Sequence, residues 1–308
     1  MNKPKVTVIG SANIDLVTQT NSFPKLGETL LGKDFQHFPG GKGANQAVAA
    51  ARLGGDVTFI GCVGDDDYGK QIKENLQIEN VNVEHIFTSE IVESGIANIV
   101  VAEKDNAIIV IPGANHELNP EYVHSLADVI LASDVIVLQL EIPIETVKAA
   151  VSVAHKGNVP IVLNPAPALP LPEELLQQIT YITPNETEIK VLTDEEDIDR
   201  SIEQLFAIGS KNVILTRGHK GVAYGSSENQ SVRHYEACRV EVTDTTGAGD
   251  TFNAAFAVSI AEGKNISEAI NYANAAAGLS ITKLGAQTGM PTFKEVKEFN
   301  FKNVEEKK

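Results

Sequence analysis

The segment 135–163 has the sequence VIVLQLEIPIETVKAAVSVAHKGNVPIVL, and its pattern indicates a strand, a helix and a second strand. The runs 135–138 and 161–163 are continuously apolar and rich in β-branched residues, which is typical of strands buried on both faces. Helical periodicity extends over 145–155 between them. Because a crossover of this length joins parallel neighbours, the segment predicts a βαβ unit.

The same alternation continues along most of the chain. It predicts further strands at 6–9, 57–60, 181–183 and 213–216, and further helices at 43–53, 68–76, 185–192 and 202–208. Repeated βαβ units predict the α/β class, as a three-layer sandwich in which a mostly parallel central sheet carries helices on both faces.

Two stretches break this alternation. Residues 16–38 and 96–111 are strand-like and contain no convincing helix, and Gly27, Gly32 and a turn at 104–106 divide them. We therefore predict a small β-rich flap set on the main sheet.

Composition limits the classes of partner. The 308 residues carry a formal net charge of −16, and an acidic chain without a basic stripe disfavours nucleic acid as a partner. Residues 1–10 lack the long apolar region of a signal peptide, and no apolar run could span a bilayer, so we expect no membrane association and a cytoplasmic location. Cys62 and Cys238 are far apart, and the histidines form no H-x-x-x-H pair, which disfavours a transition-metal site.

The motif DTTGAGD at 244–250 is the strongest candidate for chemistry. It runs into the small-residue segment 251–257, and a glycine-rich turn that ends at a helix N-terminus binds anions through its unpaired backbone N–H groups. Asp250 beside such a site combines a base for an alcohol with a binding place for a phosphate. The alternative at this point is an ordinary loop in which Asp250 caps the helix.

A second glycine-rich motif, GGKGANQ at 40–46, precedes an alanine-rich helical segment. Its glycines let backbone approach a ligand, while Lys42 and Asn45 offer hydrogen-bond donors to hydroxyl groups. The motif matches neither the Walker pattern nor the dinucleotide fingerprint, which disfavours a P-loop or Rossmann cofactor site. A plain glycine turn before a core helix remains the alternative.

Polar residues follow several predicted strands. Asn13 and Asp15 come after the first strand and Glu141 after strand 135–138, at the sheet edge where open α/β folds bind ligands. These residue types suit a polyhydroxylated substrate, although each could equally form a turn. In TPNETE at 183–188, Asn185 and Glu188 have i, i+3 spacing, which suits hydrated Mg²⁺, a helix N-cap, or both.

The chain resembles the ribokinase family of carbohydrate kinases through the motifs at 40–45, 183–188 and 244–250, and the match covers nearly the whole chain. The resemblance implies a single domain (1–308) with a β lid from about 14–39 and 95–111, and dimerisation through that lid. It also implies transfer of the ATP γ-phosphate to the 5-hydroxyl of ribose. Positions similar to the family's sugar contacts are Asn13, Asp15, Gly40, Gly41, Lys42, Asn45, Glu141 and Asp250.

The same resemblance implies the remaining ligand contacts. Nucleotide-binding positions are Asn185, Thr216, Gly218, Gly221, Gly249 and Asn274. Glu188 is similar to the residue that holds Mg²⁺ through water. An activating K⁺ is implied at Asp244, Thr246, Ser280, Lys283, Gly285 and Gly289. Gly289 departs from the family pattern, which often has a hydroxyl side chain there, so that water or Thr288 would supply the ligand.

These motifs predict an in-line phosphoryl transfer. Asp250 accepts the proton of the sugar's primary alcohol, and the amides of Gly247, Ala248, Gly249 and Asp250 stabilise charge on the transferring group. The alternatives are another kinase of the family, acting on fructose, deoxyribose or a nucleoside, and a non-catalytic sugar-binding relative. An NAD-dependent oxidoreductase is disfavoured because no G-x-G-x-x-G follows the first strand.

Overall fold

The computed structural model describes residues 3–103, 105–229 and 231–305. The strands in this part of the chain are β1 (Lys5–Ile9), β2 (Asn13–Gln19), β3 (Asp34–Gly40), β4 (Asp56–Gly64), β5 (Val81–Asn82), β6 (Ile86–Ser89), β7 (Gly95–Ala102), β8 (Asp105–Ile111), β9 (Val135–Leu138), β10 (Ile161–Leu163), β11 (Tyr181–Ile182), β12 (Asn212–Thr216), β13 (Val222–Ser226) and β14 (Val232–Tyr235).

The helices described are α1 (Lys42–Arg52), α2 (Asp67–Ile78), α3 (Pro120–Ser125), α4 (Ala127–Leu131), α5 (Ile144–Lys156), α6 (Glu173–Leu176), α7 (Glu186–Thr193), α8 (Ile198–Ala207), α9 (Ala248–Ala261), α10 (Ile266–Ser280), α11 (Ala286–Gly289) and α12 (Phe293–Glu305). Short 3₁₀ turns occur at Gly113–Glu117 and Gly218–Lys220. None of the helices in these described ranges is long and apolar enough to cross a membrane.

The main sheet has the order β14-β13-β12-β11-β10-β9-β1-β4-β5, and β6 pairs with β4. The pairs from β12 to β5 are parallel, whereas β13 and β14 are antiparallel at the edge. This confirms the predicted mostly parallel sheet. The sequence did not indicate the β13–β14 hairpin.

Apolar side chains pack on both faces of the sheet. One core cluster includes Phe59 and Phe256, both fully buried, and the rings of Phe256 and Tyr181 meet edge to face at 5.1 Å. A second cluster on the other side includes Leu138 and Val147. Helix α9 is buried along most of its length, which is expected of a helix that is apolar all round. Burial begins at Asp250 in the first turn of α9, whereas Gly249 just before it is exposed.

A separate small sheet has the order β3-β2-β7-β8. Strands β2 and β7 are parallel, and β3 and β8 pair with them antiparallel. It arises from the two stretches that were predicted to be strand-like, although residues between β2 and β3 form no strand. All of β8 is exposed, including Ile109 at 66%, and Phe35 on β3 is 59% exposed. Both edge strands of the small sheet therefore carry exposed apolar side chains.

Several element bounds differ from the predictions. The helix predicted at 185–192 begins at Glu186 because Asn185 is its N-cap, and the helix predicted at 202–208 begins already at Ile198 after the N-cap Asp197. The strand predicted at 181–183 ends at Ile182. Capping side chains decide these helix starts, since they satisfy the free N–H groups of the first turn.

Candidate active site

The N-terminus of α1 packs directly against the chain that leaves β1. A Cβ on Gly43 would lie 2.6 Å from the backbone nitrogen of Ser11, and one on Gly41, whose φ is 87°, would lie 2.8 Å from that of Asn13. A Cβ on Gly40 would lie 2.3 Å from Oδ1 of Asp15. Protein atoms therefore fill the space beside these glycines, whereas the sequence suggested that the glycines admit a ligand. Contact of Gly40 and Gly41 with sugar stays a prediction.

The two glycine-rich motifs meet at Asp250. This carboxylate lies in the first turn of α9 and is 8% exposed. The amide of Asn45 donates to its Oδ2 at 3.0 Å, and the amide of Gln46 donates to its Oδ1 at 3.0 Å. Two consecutive residues of α1 therefore each bind one carboxylate oxygen of Asp250, although about two thirds of the chain lies between them and Asp250 in the sequence.

Charged side chains surround this carboxylate. Burial raises the pKa of Asp250 and Glu141 adds to the rise, while Lys42 and the amides of Gln46 and Asn45 act in the opposite direction. Burial alone would lower the pKa of Lys42, but Asp250, Glu141, Glu188 and Asp15 outweigh it and hold this pKa above its ordinary value. Lys42 is thus a permanent cation among four acidic side chains.

Glu141 fixes the loop after β1. Its Oε2 accepts a hydrogen bond from the hydroxyl of Ser11 at 2.5 Å and from the backbone N–H of Lys42 at 3.1 Å. Burial, followed by the charges of Glu141 and Asp250, raises the pKa of Asp15 from 3.8 to about 6, although Lys42 opposes the rise. The predicted sugar contacts Asp15, Lys42 and Glu141 therefore form one electrostatic group with Asp250.

This raised pKa makes a prediction about stability. The folded state holds the Asp15 proton more tightly than the unfolded state, so the stabilisation from this proton is complete below pH 3.8 and is lost as the pH rises through about 6. Asp15→Asn removes this loss. We expect the stability of the variant relative to wild type to improve by about 1–2 kcal/mol between pH 4 and pH 7. Urea unfolding at both pH values measures it, and an equal difference at the two values would contradict it.

The start of α9 exposes backbone donors. Gly247 is the N-cap with a φ of 76°, and in the described part of the chain the N–H groups of Gly249 and Asp250 make no hydrogen bond. The N–H of Ala248 differs from the prediction, because it donates to the carbonyl of Thr245 at 3.2 Å. A Cβ on Gly249 would meet nothing within 4 Å. The side-chain position of Gly249, next to these donors, is therefore open.

Asn185 and Glu188 form a full capping box. The side-chain oxygen of Asn185 accepts from the N–H groups of Thr187 and Glu188, both at 2.8 Å, and Glu188 accepts from the Asn185 backbone N–H at 2.8 Å and from its amide at 2.9 Å. Burial, with Asp250 adding to it, raises the pKa of Glu188, while the Asn185 N–H and Lys42 lower it. Both carboxylate oxygens of Glu188 are already bonded, which suits a contact with Mg²⁺ through water rather than a direct one.

Several of the predicted nucleotide positions lie at or beside strands β11 to β13, while Gly249 belongs to α9 and Asn274 to α10. Thr216 at the end of β12 bridges to Asn185, and its N–H donates to the carbonyl of Pro184 at 2.9 Å. A Cβ on Gly218 would meet nothing within 4 Å, whereas one on Gly221 would lie 1.9 Å from the carbonyl oxygen of Tyr235. Gly221 is thus required by the protein's own packing. Asn274 on α10 donates to the carbonyl of Glu236 at 3.3 Å.

Asp244 ties together the predicted monovalent-cation segment. Its Oδ1 accepts from the backbone and hydroxyl of Thr246, at 2.9 and 2.7 Å, and its Oδ2 accepts from the N–H of Gly285 at 2.8 Å. Burial would raise the pKa of Asp244, but these hydrogen bonds outweigh it and lower this pKa.

Gly289 packs closely against the backbone at this segment. A Cβ there would lie 2.5 Å from the carbonyl oxygen of Ser280 and 3.8 Å from that of Lys283. Two backbone carbonyl oxygens therefore lie near Gly289, and a side chain at this position would clash with the first of them. Thr288, which the sequence offered as a substitute ligand, donates its hydroxyl to the carbonyl of Leu284 instead.

Sequence reasoning missed several buried amides of the site. Gln46 stood in a quoted motif but was given no role, and Gln139 and Asn164 follow β9 and β10 directly. Asn115 is 1% exposed and donates to Oδ1 of Asn13 at 2.7 Å, and Gln287 donates to Oδ1 of Asn45 at 3.0 Å. A polar residue directly after a buried strand was the available signal for Gln139 and Asn164. In the described ranges no group of three or more His, Cys, Asp or Glu side chains could hold a metal ion.

A buried carboxylate beside free backbone N–H groups at a helix N-terminus suits the transfer of a phosphoryl group to a hydroxyl. Residues 3–293 match the pfkB family of carbohydrate kinases, and the chain belongs to this family. It is 47% identical over 293 residues to the ribokinase of Bacillus subtilis, and the aligned region covers 95% of this chain and 98% of that protein. It is 44% identical over 294 residues to the ribokinase of Lactococcus lactis, with 95% and 96% covered. A solved structure of Arabidopsis thaliana ribokinase complexed with ribose and ATP superimposes with a TM-score of 0.91 at 34% identity, covering 97% of this chain and 99% of that chain.

Proposed function

We propose that the protein is a ribokinase, which transfers the γ-phosphoryl group of ATP to the 5-hydroxyl of D-ribose. The relatives of this name, similar over nearly their whole length, support the substrate. The single observation that carries the chemistry is the buried Asp250 carboxylate at the meeting point of both glycine-rich motifs. Because such transfer uses ATP, we place the protein in the cytoplasm.

Asp250 acts as the base. Burial raises the pKa of Asp250, while Lys42 and the two amides favour its ionised form, which is the form that takes the alcohol proton as the oxygen attacks phosphorus. A loose transition state needs little early deprotonation, so a carboxylate is a sufficient base when it is well placed. Gly247, Gly249 and Asp250 offer backbone N–H groups to the transferring charge, and Ala248 can join them if its bond to Thr245 opens.

The sugar lies on the Lys42 side of Asp250. Asn13, Asp15, Lys42, Asn45 and Glu141 hold its hydroxyls, and carboxylates with amides are suited to such pairing. Thr216, Gly218 and Asn274 bind the nucleotide at the β12 edge of the sheet. Mg²⁺ bound with ATP would neutralise phosphate charge, and Glu188 would hold it through water.

K⁺ fits the loop beside the helix start. The carbonyl oxygens of Ser280 and Lys283 face the bare Gly289, and Asp244 links this loop to the 244–250 motif through Gly285. The bound cation would fix the position of that motif, and with it the donors at the start of α9.

A sugar panel tests the function. We expect kcat/KM for ribose to exceed that for 2-deoxyribose and fructose by roughly tenfold or more, because a site built for a hydroxyl leaves polar groups unpaired when the hydroxyl is missing. ADP release with each sugar, with and without K⁺, measures it, and K⁺ should raise the rate. A higher kcat/KM for another sugar would replace the substrate, and sugar-independent inactivity would favour a non-catalytic relative.

The small sheet is the lid and the dimer interface in this proposal. It begins at Asn13 and Gly95 beside the sugar site, and its exposed apolar side chains need cover. A lid excludes water during the transfer, so that ATP is not hydrolysed. One face of the small sheet covers the sugar, and a second copy of the chain covers the other face.

Dimerisation gives a separate prediction. Ile109→Asp places a charge on the exposed face of β8, where Ile109 is 66% exposed. We expect the variant to run as a monomer in light scattering at micromolar concentration, because burying an unpaired charge in an apolar interface opposes association. Ile78→Asp is the matched control, since Ile78 is 76% exposed at the C-terminal end of α2 and is not part of the small sheet. An unchanged dimer with Ile109→Asp would contradict the proposed interface.

A further inference from the structure

Two buried glutamines link β9 to the carboxylate of Asp250. Gln46 lies on α1 and Gln139 directly follows β9, and both are 0% exposed. The amide of Gln139 donates to Oε1 of Gln46 at 2.6 Å, and the amide of Gln46 donates to Oδ1 of Asp250 at 3.0 Å and to Oδ1 of Asn164 at 3.3 Å. Gln139, Gln46 and Asp250 therefore form a chain of hydrogen bonds in which each glutamine donates to the next residue.

The charge of Asp250 sets the direction of this chain. An ionised carboxylate only accepts hydrogen bonds, so Gln46 must turn its NH₂ group toward Asp250 and its oxygen away. The two ends of a glutamine amide have nearly the same shape, and packing alone does not distinguish them. The amide N–H of Gln139 distinguishes the two orientations, because it needs the side-chain oxygen of Gln46 as its acceptor.

The arrangement has a cost in the core. Among the described residues, Oε1 of Gln139 is buried and has no hydrogen-bond partner, and a buried unpaired polar atom destabilises a fold. The chain also keeps a glycine for this amide, since a Cβ on Gly10 would lie 2.0 Å from Oε1 of Gln139. Two apolar side chains would fill the space without this cost, so stability alone does not explain the pair.

Gln46 differs from the other donor to Asp250. Asn45 holds Oδ2, but Asn45 is also a predicted sugar contact and must share its amide with the substrate. Gln46 is completely buried behind Asp250 and its donor has no such competitor. It can therefore hold the carboxylate in one orientation before and after the sugar binds.

We propose that Gln46 and Gln139 are positioning residues of the phosphoryl transfer, in which Gln46 fixes the Asp250 carboxylate and Gln139 acts only through Gln46. The inference rests on the proposed function, with Asp250 as the base. The donor from Gln46 also favours the ionised carboxylate, in concert with Lys42 on α1 and against Asp15 on β2, Glu141 after β9 and Glu188 on α7.

Variants of the full chain test the inference through kcat and KM. Gln46→Met keeps length and removes the donor, and we expect kcat to fall roughly 10-fold to 100-fold with the KM values for ribose and ATP within about threefold. Gln139→Met should lower kcat by roughly threefold to tenfold, and the double variant should be no slower than Gln46→Met alone. Asn212→Leu, which removes an amide bonded to Thr180 far from the site, is the control and should leave kcat unchanged.

The pH profile provides a second readout that a purely structural role would not move. Gln139→Met adds no charge and loosens the donor from Gln46, so the acid limb of kcat should move to higher pH. Gln46→Glu, which still accepts from Gln139 but sets a second carboxylate beside Asp250, should move it the same way and gives the reference for a purely electrostatic shift. These two variants decide the matter if Gln46→Met does not fold. Profiles identical to wild type would overturn the inference.

The remaining outcomes separate the two proposals. A kcat for Gln46→Met within twofold of wild type, or a double variant whose loss is the product of the single losses, overturns the positioning role. Asp250→Asn is measured beside them. If that variant stays active, the proposed base is wrong and the inference is lost with it. If it is inactive while Gln46→Met is normal, only the inference is lost.

Discussion

Asp250→Asn is expected to lower kcat by roughly 10²-fold to 10⁴-fold while KM for ATP stays nearly unchanged. The substitution keeps the shape of the side chain and removes the base. Asn45 and Gln46 both donate to this position, so the new amide also places an NH₂ group against one of them. Steady-state kinetics with ribose and ATP measure the loss, and nucleotide affinity can be measured separately.

Asp134→Asn is the control for this experiment. Asp134 accepts a hydrogen bond from the backbone N–H of Lys5 at 2.7 Å. Lys5 is the first residue of β1, so this bond lies at the N-terminal end of the strand, whereas the candidate site follows its C-terminal end. Its loss should leave kcat unchanged. If Asp250→Asn turned over within a few-fold of wild type, another group would have to accept the proton, and the assignment of the whole site would fall.

Gly43→Ala is expected to reduce the free energy of unfolding by about 3 kcal/mol or more. The added methyl would lie 2.6 Å from the nitrogen of Ser11 and 2.7 Å from its carbonyl oxygen, and these backbone atoms cannot turn away as a side chain can. Relief requires α1 to move, which displaces Lys42 and Asn45. A displacement of this kind should also lower kcat/KM by roughly 10²-fold. Urea unfolding and kinetics on the same sample measure both effects.

Gly249→Ala is the matched contrast. A Cβ at Gly249 meets nothing within 4 Å, and the residue lies in the first turn of α9. Alanine is the better helix former, so we expect stability to be kept or to rise by about 0.5–1 kcal/mol. The methyl would enter the space proposed for the transferring phosphate, and kcat should fall roughly 10-fold to 100-fold. Gly249→Ala with full activity would mean that this space is not used, and a stable Gly43→Ala would refute the packing argument.

Periodicity predicted the sheet because strands with both faces buried must be apolar without interruption, as 135–138 and 161–163 are. The hairpin of β13 and β14 escaped detection, since Gly225 and Ser226 interrupt its pattern at the sheet edge. Helix α10 was overlooked although Asn265 and Glu268 form a capping box at its start. That local feature could have been found.

The residue types at the site could be predicted further than their contacts. Asp250 and Lys42 stand in recognisable motifs, and the structure brings them together as a charged group. The three side-chain partners of Gln46 lie 93, 118 and 204 residues away, so its place in the site appears only when the chain is folded. The glycines at 41 and 43 show the same limit, because the atoms that require them come from the loop after β1.

The direct passage from β1 into β2 has a consequence for evolution. Only residues 10–12 separate these strands, and β2 starts with Asn13 and carries Asp15. In the proposed closure, β2 both binds the sugar, through Asn13 and Asp15, and moves as part of the lid. Sugar recognition and lid movement are therefore properties of the same strand. Substitutions at Asn13 or Asp15 that change the sugar specificity would therefore also change the closure of the lid. During evolution, selection would have to act on both properties together.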